Sequence, residues 1–126
     1  MPASDALDLS GLRILVVEDL LLVADLIAEV LRDHGCTVVG PVSRLNQRLV
    51  FADREQLDGA LLDVNLAGER CFPIAALLVA RGVPFAFLTG YGEAAIPLEY
   101  RDATRLSKPF NIAHLVDLVG RFDRSA

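Results

Sequence analysis

Five residues have types and positions that could do chemistry together: the pair Glu18–Asp19, then Asp63, Thr89 and Lys108. Three carboxylates in one cleft repel each other, and they stay ionised only if cations hold them. A hard divalent ion with oxygen ligands, Mg2+ by preference, suits two or three carboxylates plus water. Lys108 supplies a further positive charge on a mobile stem, whereas an arginine fork would be bulkier and would seek a bidentate partner. It is the single lysine among 12 basic residues. A carboxylate beside Mg2+, an ammonium and a hydroxyl can act as a nucleophile toward phosphorus. The cations neutralise phosphoryl oxygens and the hydroxyl donates to one of them. Gly90, next to Thr89, leaves room for a tetrahedral group. Each residue taken singly has a plainer explanation. Asp19 could cap a helix, and a lone Asp after a strand is more often a turn residue.

What turns five residues into one site is the set of elements that would carry them. "LRILVV" (12–17) is a β-branched apolar run and reads as a buried strand. Residues 20–34 read as a helix, with Val23, Leu26, Ile27, Val30 and Leu31 at 3.6 spacing and Gly35 ending it. "CTVVG" (36–40) is a second strand, followed by a helix over 44–54 capped by Ser43. "GALL" (59–62) is a third strand. A helix over 71–80 has Pro73 in its first turn and stops at Gly82. "VPFAFL" (83–88) is a fourth strand. Residues 93–100 read as a helix weakened by Pro97, and "ATRL" (103–106) is a fifth strand. Asn111 caps a last helix with Ile112, Leu115, Val116 and Val119 on one face. Five βα units predict a flavodoxin-like doubly wound α/β sandwich: a parallel five-stranded sheet, strand order 2-1-3-4-5, with helices on both faces. In such sheets sites form at the carboxyl ends of the strands, where the order switches. The five residues stand at the ends of the first, third, fourth and fifth strands.

Size and composition agree. The chain has 126 residues, one domain's length, and 53% of them are apolar, as a sheet buried on both faces requires. No apolar run approaches the ~20 residues of a membrane span, and the polar, acidic N-terminus has no signal-peptide pattern. The net charge of −5 and the scattered basic residues argue against nucleic acid as a direct partner. Cys36 and Cys71 have no metal-ligand spacing and read as free thiols of a cytoplasmic protein. The division expected is a tail over 1–11, one domain over 12–122, and no output domain.

With the residues placed, the sequence resembles the receiver domain of bacterial two-component response regulators. The motifs are "ILVVED", "LLDVNLAGE", "FLTGYG" and "SKPF". The resemblance implies that Asp63 accepts a phosphoryl group from a phosphohistidine on a sensor histidine kinase or a histidine phosphotransfer protein. It implies that Glu18, Asp19, Asp63 and the backbone carbonyl of Asn65 hold Mg2+, that Thr89 moves toward the aspartyl phosphate, and that Lys108 pairs with it. It also implies a cis Lys108–Pro109 bond. "FLTGYG" is similar to a subfamily named for a Phe-Ala-Thr-Gly run, with Leu88 in place of Ala. Its members are often lone receivers paired with HWE-type or related kinases. The output would then be protein contact or a phosphate sink, from a monomer or weak homodimer. The chain would act on itself only and would not be an enzyme in the usual sense.

One departure matters. Ordinary receivers carry an aromatic residue three positions before the lysine, and here that position is Arg105. Tyr91, between two glycines, is the candidate for taking over the switch with Thr89. Other functions fit less well. A haloacid-dehalogenase-like phosphohydrolase needs a second acid two residues after the nucleophile, and Asn65 stands there. A nucleotide or flavin module needs a phosphate-cradling loop after the first strand, and "VVEDLLL" has no glycine. A receiver that is never phosphorylated is argued against by the intact set of five. His34 suits a helix C-terminus, His114 is expected to be exposed, and Cys71 reads as an inert apolar residue. Leu20, Leu21 and Leu22 cannot all face inward, and part of them is expected to form a docking patch.

Overall fold

The computed structural model describes residues 9–42, 51–66, 69–90, 96–100 and 102–122. The strands of the main sheet are β1 (Arg13–Val17), β2 (Thr37–Val42), β3 (Gly59–Asp63), β6 (Phe85–Thr89) and β7 (Thr104–Ser107), separated by a short hairpin of β4 (Asn65–Leu66) and β5 (Glu69–Arg70). The sheet is parallel, in the order β2-β1-β3-β6-β7. Numbered by main-sheet strands alone, this is the expected 2-1-3-4-5. The hairpin has two residues per arm, too short to leave a periodic signature. The helices are α1 (Leu21–Asp33), α2 (Phe72–Arg81) and α3 (Ile112–Gly120), and residues 51–54 are also helical. The helix expected over 93–100 is a 3-10 turn at Leu98–Tyr100 within the described residues. Ser43 and residues 91–95 lie outside them.

The strands are apolar throughout because both faces are covered. Side chains alternate between the faces. Ile14, Val16, Leu61, Ala86, Leu88 and Leu106 pack with α1 and α3 in one core. Leu15, Val17, Ala60, Leu62 and Phe87 pack with α2 in the other. A fully buried Leu, Ile or Phe contributes roughly 1.5–3 kcal/mol of hydrophobic stabilisation.

Two members of the periodic apolar faces lie outside the core. Leu26 is 42% exposed and Ile112 49% exposed, while Ala24, Ala28 and Leu118 are buried in their stead. The apolar stripe of each helix is wider than its contact with the sheet, and the outer edge of the stripe stays in solvent.

Helix ends follow their sequence signals. After α1, Gly35 takes φ +95°; its N–H donates to the Arg32 carbonyl and that of Cys36 to the Leu31 carbonyl, a Schellman closure. Gly82 closes α2 in the same way. Asn111 Oδ1 accepts from the N–H groups of Ala113 and His114, so α3 is capped as expected. Gly40–Pro41 and Lys108–Pro109 are cis.

Packing begins before the first strand. Leu9 is buried in the core, and its N–H donates to the His34 carbonyl at 3.0 Å, although the sequence pattern alone assigns it to the tail. At the other end Phe122 lies against Gly59, where an added Cβ would fall 2.2 Å from its ring. Cys36 and Cys71 are buried and are not joined in a disulfide.

Candidate functional site

The register of the sheet brings the sequence-predicted residues together. Val17 pairs with Leu62, so Glu18 emerges beside Asp63, the last residue of β3. Asp63 pairs with Leu88, and Thr89 pairs with Ser107, immediately before Lys108. The Lys108 N–H donates to the Thr89 carbonyl at 2.6 Å, which ties the ends of β6 and β7. Ligand oxygens of Glu18, Asp19 and Asp63 lie within 4.8 Å of one another. Glu18, Asp63 and Thr89 are buried, polar though they are.

The side chain of Asp19 does not cap α1. Leu20 occupies the cap position with no side-chain hydrogen bond there. Glu18 Oε2 instead accepts from the Leu20 N–H at 3.0 Å. This leaves Asp19 for the cluster and removes the plainest alternative role for it.

Lys108 reaches between the acids. Its Nζ lies 2.7 Å from Glu18 Oε1 and 3.3 Å from Asp63 Oδ2. Burial opposes its charge, but the hydrogen bond to Glu18 and the charges of Asp63 and Glu18 outweigh that and raise its pKa above the usual lysine value. One ammonium still faces three carboxylates. Glu18 Oε1 is buried, with Lys108 Nζ at 2.7 Å as its charged partner. A crowded oxygen set with an under-compensated buried carboxylate fits a hard divalent cation. The backbone carbonyl of Asn65 belongs to β4, two residues beyond Asp63.

An apolar groove adjoins the cluster. It has a volume of about 430 Å³ and is lined by Val23, Leu26, Gly90, Lys108, Pro109 and Phe110. Leu20, Leu21 and Leu22 are all exposed at the same end of α1. The leucine run signalled this surface in the sequence; the contributions of Val23, Pro109 and Phe110 did not show in any pattern. Tyr91 lies outside the described residues. Arg105 is exposed on the edge strand β7, so no aromatic ring occupies its place. His114 is exposed as expected, and His34 Nδ1 is 2.9 Å from the Val30 carbonyl at the end of α1.

A ring cluster that sequence reasoning missed lies under β6. Phe72, Phe85, Phe87 and Tyr100 form five ring contacts, with centroids 5.3 to 6.2 Å apart, and Phe87 and Tyr100 each touch the other three.

Residues 14–120 match the family profile of the response regulator receiver domain. The solution structure of SdrG from Sphingomonas melonis is similar, with 34% identity, a TM-score of 0.78, and coverage of 88% of this chain and 95% of that one. So is the receiver domain of the sensor histidine kinase PA1611 from Pseudomonas aeruginosa, solved with a magnesium ion in its active-site cleft: 27% identity, TM-score 0.74, coverage 90% and 98%. Among curated proteins, the transcriptional regulatory protein PdtaR of Mycobacterium tuberculosis is 25% identical over 122 residues, 94% of this chain. The chain spans 60% of the length of that relative. Among the described residues no helix is long and apolar enough to cross a membrane.

Proposed function

Since the chain belongs to the response regulator receiver domain family, we propose that it is a phosphorylation switch whose acceptor is Asp63. The observation that carries this reading is the convergence of Glu18, Asp19 and Asp63 within 4.8 Å, with Lys108 reaching two of them. An Asp63 carboxylate oxygen attacks the phosphorus of a phosphohistidine. The new P–O bond forms as the P–N bond breaks, and the electron pair leaves with the imidazole nitrogen. Glu18, Asp19, Asp63 and the Asn65 carbonyl would hold Mg2+, which when bound neutralises phosphoryl oxygens. Lys108 exchanges its contact with Asp63 for one with the phosphoryl group, and the Thr89 hydroxyl donates to a phosphoryl oxygen. Water later attacks the phosphorus; the bond to the Asp63 oxygen breaks, inorganic phosphate leaves and the carboxylate is restored, so no separate substrate is turned over.

The donor is a sensor histidine kinase, of the HWE or a related class, or a histidine phosphotransfer protein. It docks on the exposed leucines of α1 and the adjoining groove, which supply an apolar surface beside the acceptor. Such a donor works in the bacterial cytoplasm. The output proposed for the phosphorylated receiver is contact with another protein or drainage of phosphoryl groups from a shared kinase.

Intact mass after incubation with Mg2+ and a small acyl phosphate tests the reading. The result expected is a gain of one phosphoryl group that disappears in Asp63→Ala and with EDTA. No gain under conditions that label another receiver overturns it.

A further inference from the structure

The four-ring cluster joins the two segments that frame the acceptor. Phe72 opens α2, nine residues beyond Asp63 and shortly after the β4–β5 hairpin. Phe85 and Phe87 lie on β6, on the same face, and Phe87 stands two residues before Thr89. Tyr100 closes the 3-10 turn and packs into all three. Its ring stacks on Phe72 with an interplanar angle of 14° and meets Phe87 edge-on at 80°. Its backbone continues the connection: the Tyr100 N–H donates to the Pro97 carbonyl, and the Ala103 N–H to the Tyr100 carbonyl, one residue before β7.

We propose that Tyr100 is the ring through which occupancy of Asp63 is reported, responding through Phe87 when Thr89 is drawn toward the phosphoryl group. The inference rests on the function proposed above. Close-packed aromatic rings do not deform continuously; they pass between discrete arrangements. Phe87 is fully buried, so a shift of the β6 end has to be met by its ring neighbours. Of those, Tyr100 belongs to the shortest element. It is held by one 3-10 turn, where Phe72 and Phe85 are anchored in a helix and in the sheet. Leu98, at the start of that turn, is 74% exposed and carries the movement to the surface. This assigns the readout to a ring on the face of the sheet opposite α1 and α3, and not to the edge position held by Arg105.

The chain has two tyrosines and no tryptophan, so Tyr91→Phe leaves Tyr100 as its sole tyrosine fluorophore. This variant is treated with Mg2+ and a small acyl phosphate, and tyrosine emission and intact mass are followed on the same sample. The expected result is an emission change that rises in step with the phosphorylated fraction. In Phe87→Leu, added to the same background, the mass gain persists and the emission change is lost. Full phosphorylation with unchanged Tyr100 emission overturns the inference and leaves the acceptor role of Asp63 standing. Absence of any mass gain overturns both. A response that survives Phe87→Leu overturns the route through Phe87.

Discussion

The two ends of the sheet treat charge in opposite ways. At the amino end, guanidinium groups satisfy backbone carbonyls. Arg13 Nε donates to the Gln56 carbonyl at 2.7 Å and its NH2 to Glu55 Oε1 at 3.0 Å, while Asp58 accepts from the Arg13 N–H. Arg81 donates to the carbonyls of Ala52 and Glu55, closing the end of the helical residues 51–54. At the carboxyl end, three carboxylates converge and Lys108 reaches two of them. The first arrangement pairs donors with acceptors and gains stability from it. The second leaves like charges close together, which costs stability and makes a site that binds cations and phosphoryl groups. The amino end of the sheet is built to hold and the carboxyl end to react.

The largest effect is expected of Asp63→Asn. Phosphoryl acceptance should be lost completely by intact mass, while relief of repulsion raises unfolding stability by ~1 kcal/mol. A variant less stable than wild type would mean that the carboxyl end is a stabilising network like the amino end. Lys108→Met comes next. It leaves Glu18 with no ammonium, and because the lysine is partly exposed the cost is discounted to ~2 kcal/mol. Thermal unfolding should show part of that loss recovered by Mg2+, and a loss that is indifferent to Mg2+ would count against the cation site.

The amino end gives smaller effects. Arg81→Met removes two contacts with carbonyls and should cost about 1 kcal/mol in denaturant unfolding, with phosphoryl acceptance unchanged. A change in acceptance would tie the two ends together. The smallest effect concerns Cys36, just before β2. Burial pushes its thiol from 9.0 to about 11. A folded pKa above the unfolded one gives stability that is present below pH 9 and lost as pH rises toward 11. Unfolding midpoints of wild type and Cys36→Ala at about pH 8 and about pH 10.5 check this, with the variant losing less of its stability.

The fold and the site were legible in the sequence to different depths. The βα alternation led to the sheet order, because short crossovers between parallel strands allow few topologies. Glu18, Asp19, Asp63, Thr89 and Lys108 were legible because each follows an apolar run, and strand ends converge wherever the run stops. Leu26 and Ile112 lie outside the core because periodicity fixes a stripe but not which edge of it meets the sheet. The β4–β5 hairpin was missed because two residues carry no period. The cluster of Phe72, Phe85, Phe87 and Tyr100 was missed because its contacts join distant parts of the chain, and no local spacing encodes them.

The placement of Leu9 and Phe122 has a practical consequence. Leu9 is fastened to the residue that ends α1, ahead of β2, and Phe122 to the first residue of β3. Leu9 and Phe122 therefore both lie at the pole opposite the acidic cluster. A fluorescent reporter or a surface tether joined at either end would stand clear of the acceptor, and the chain could be immobilised with its reactive pole facing the solution.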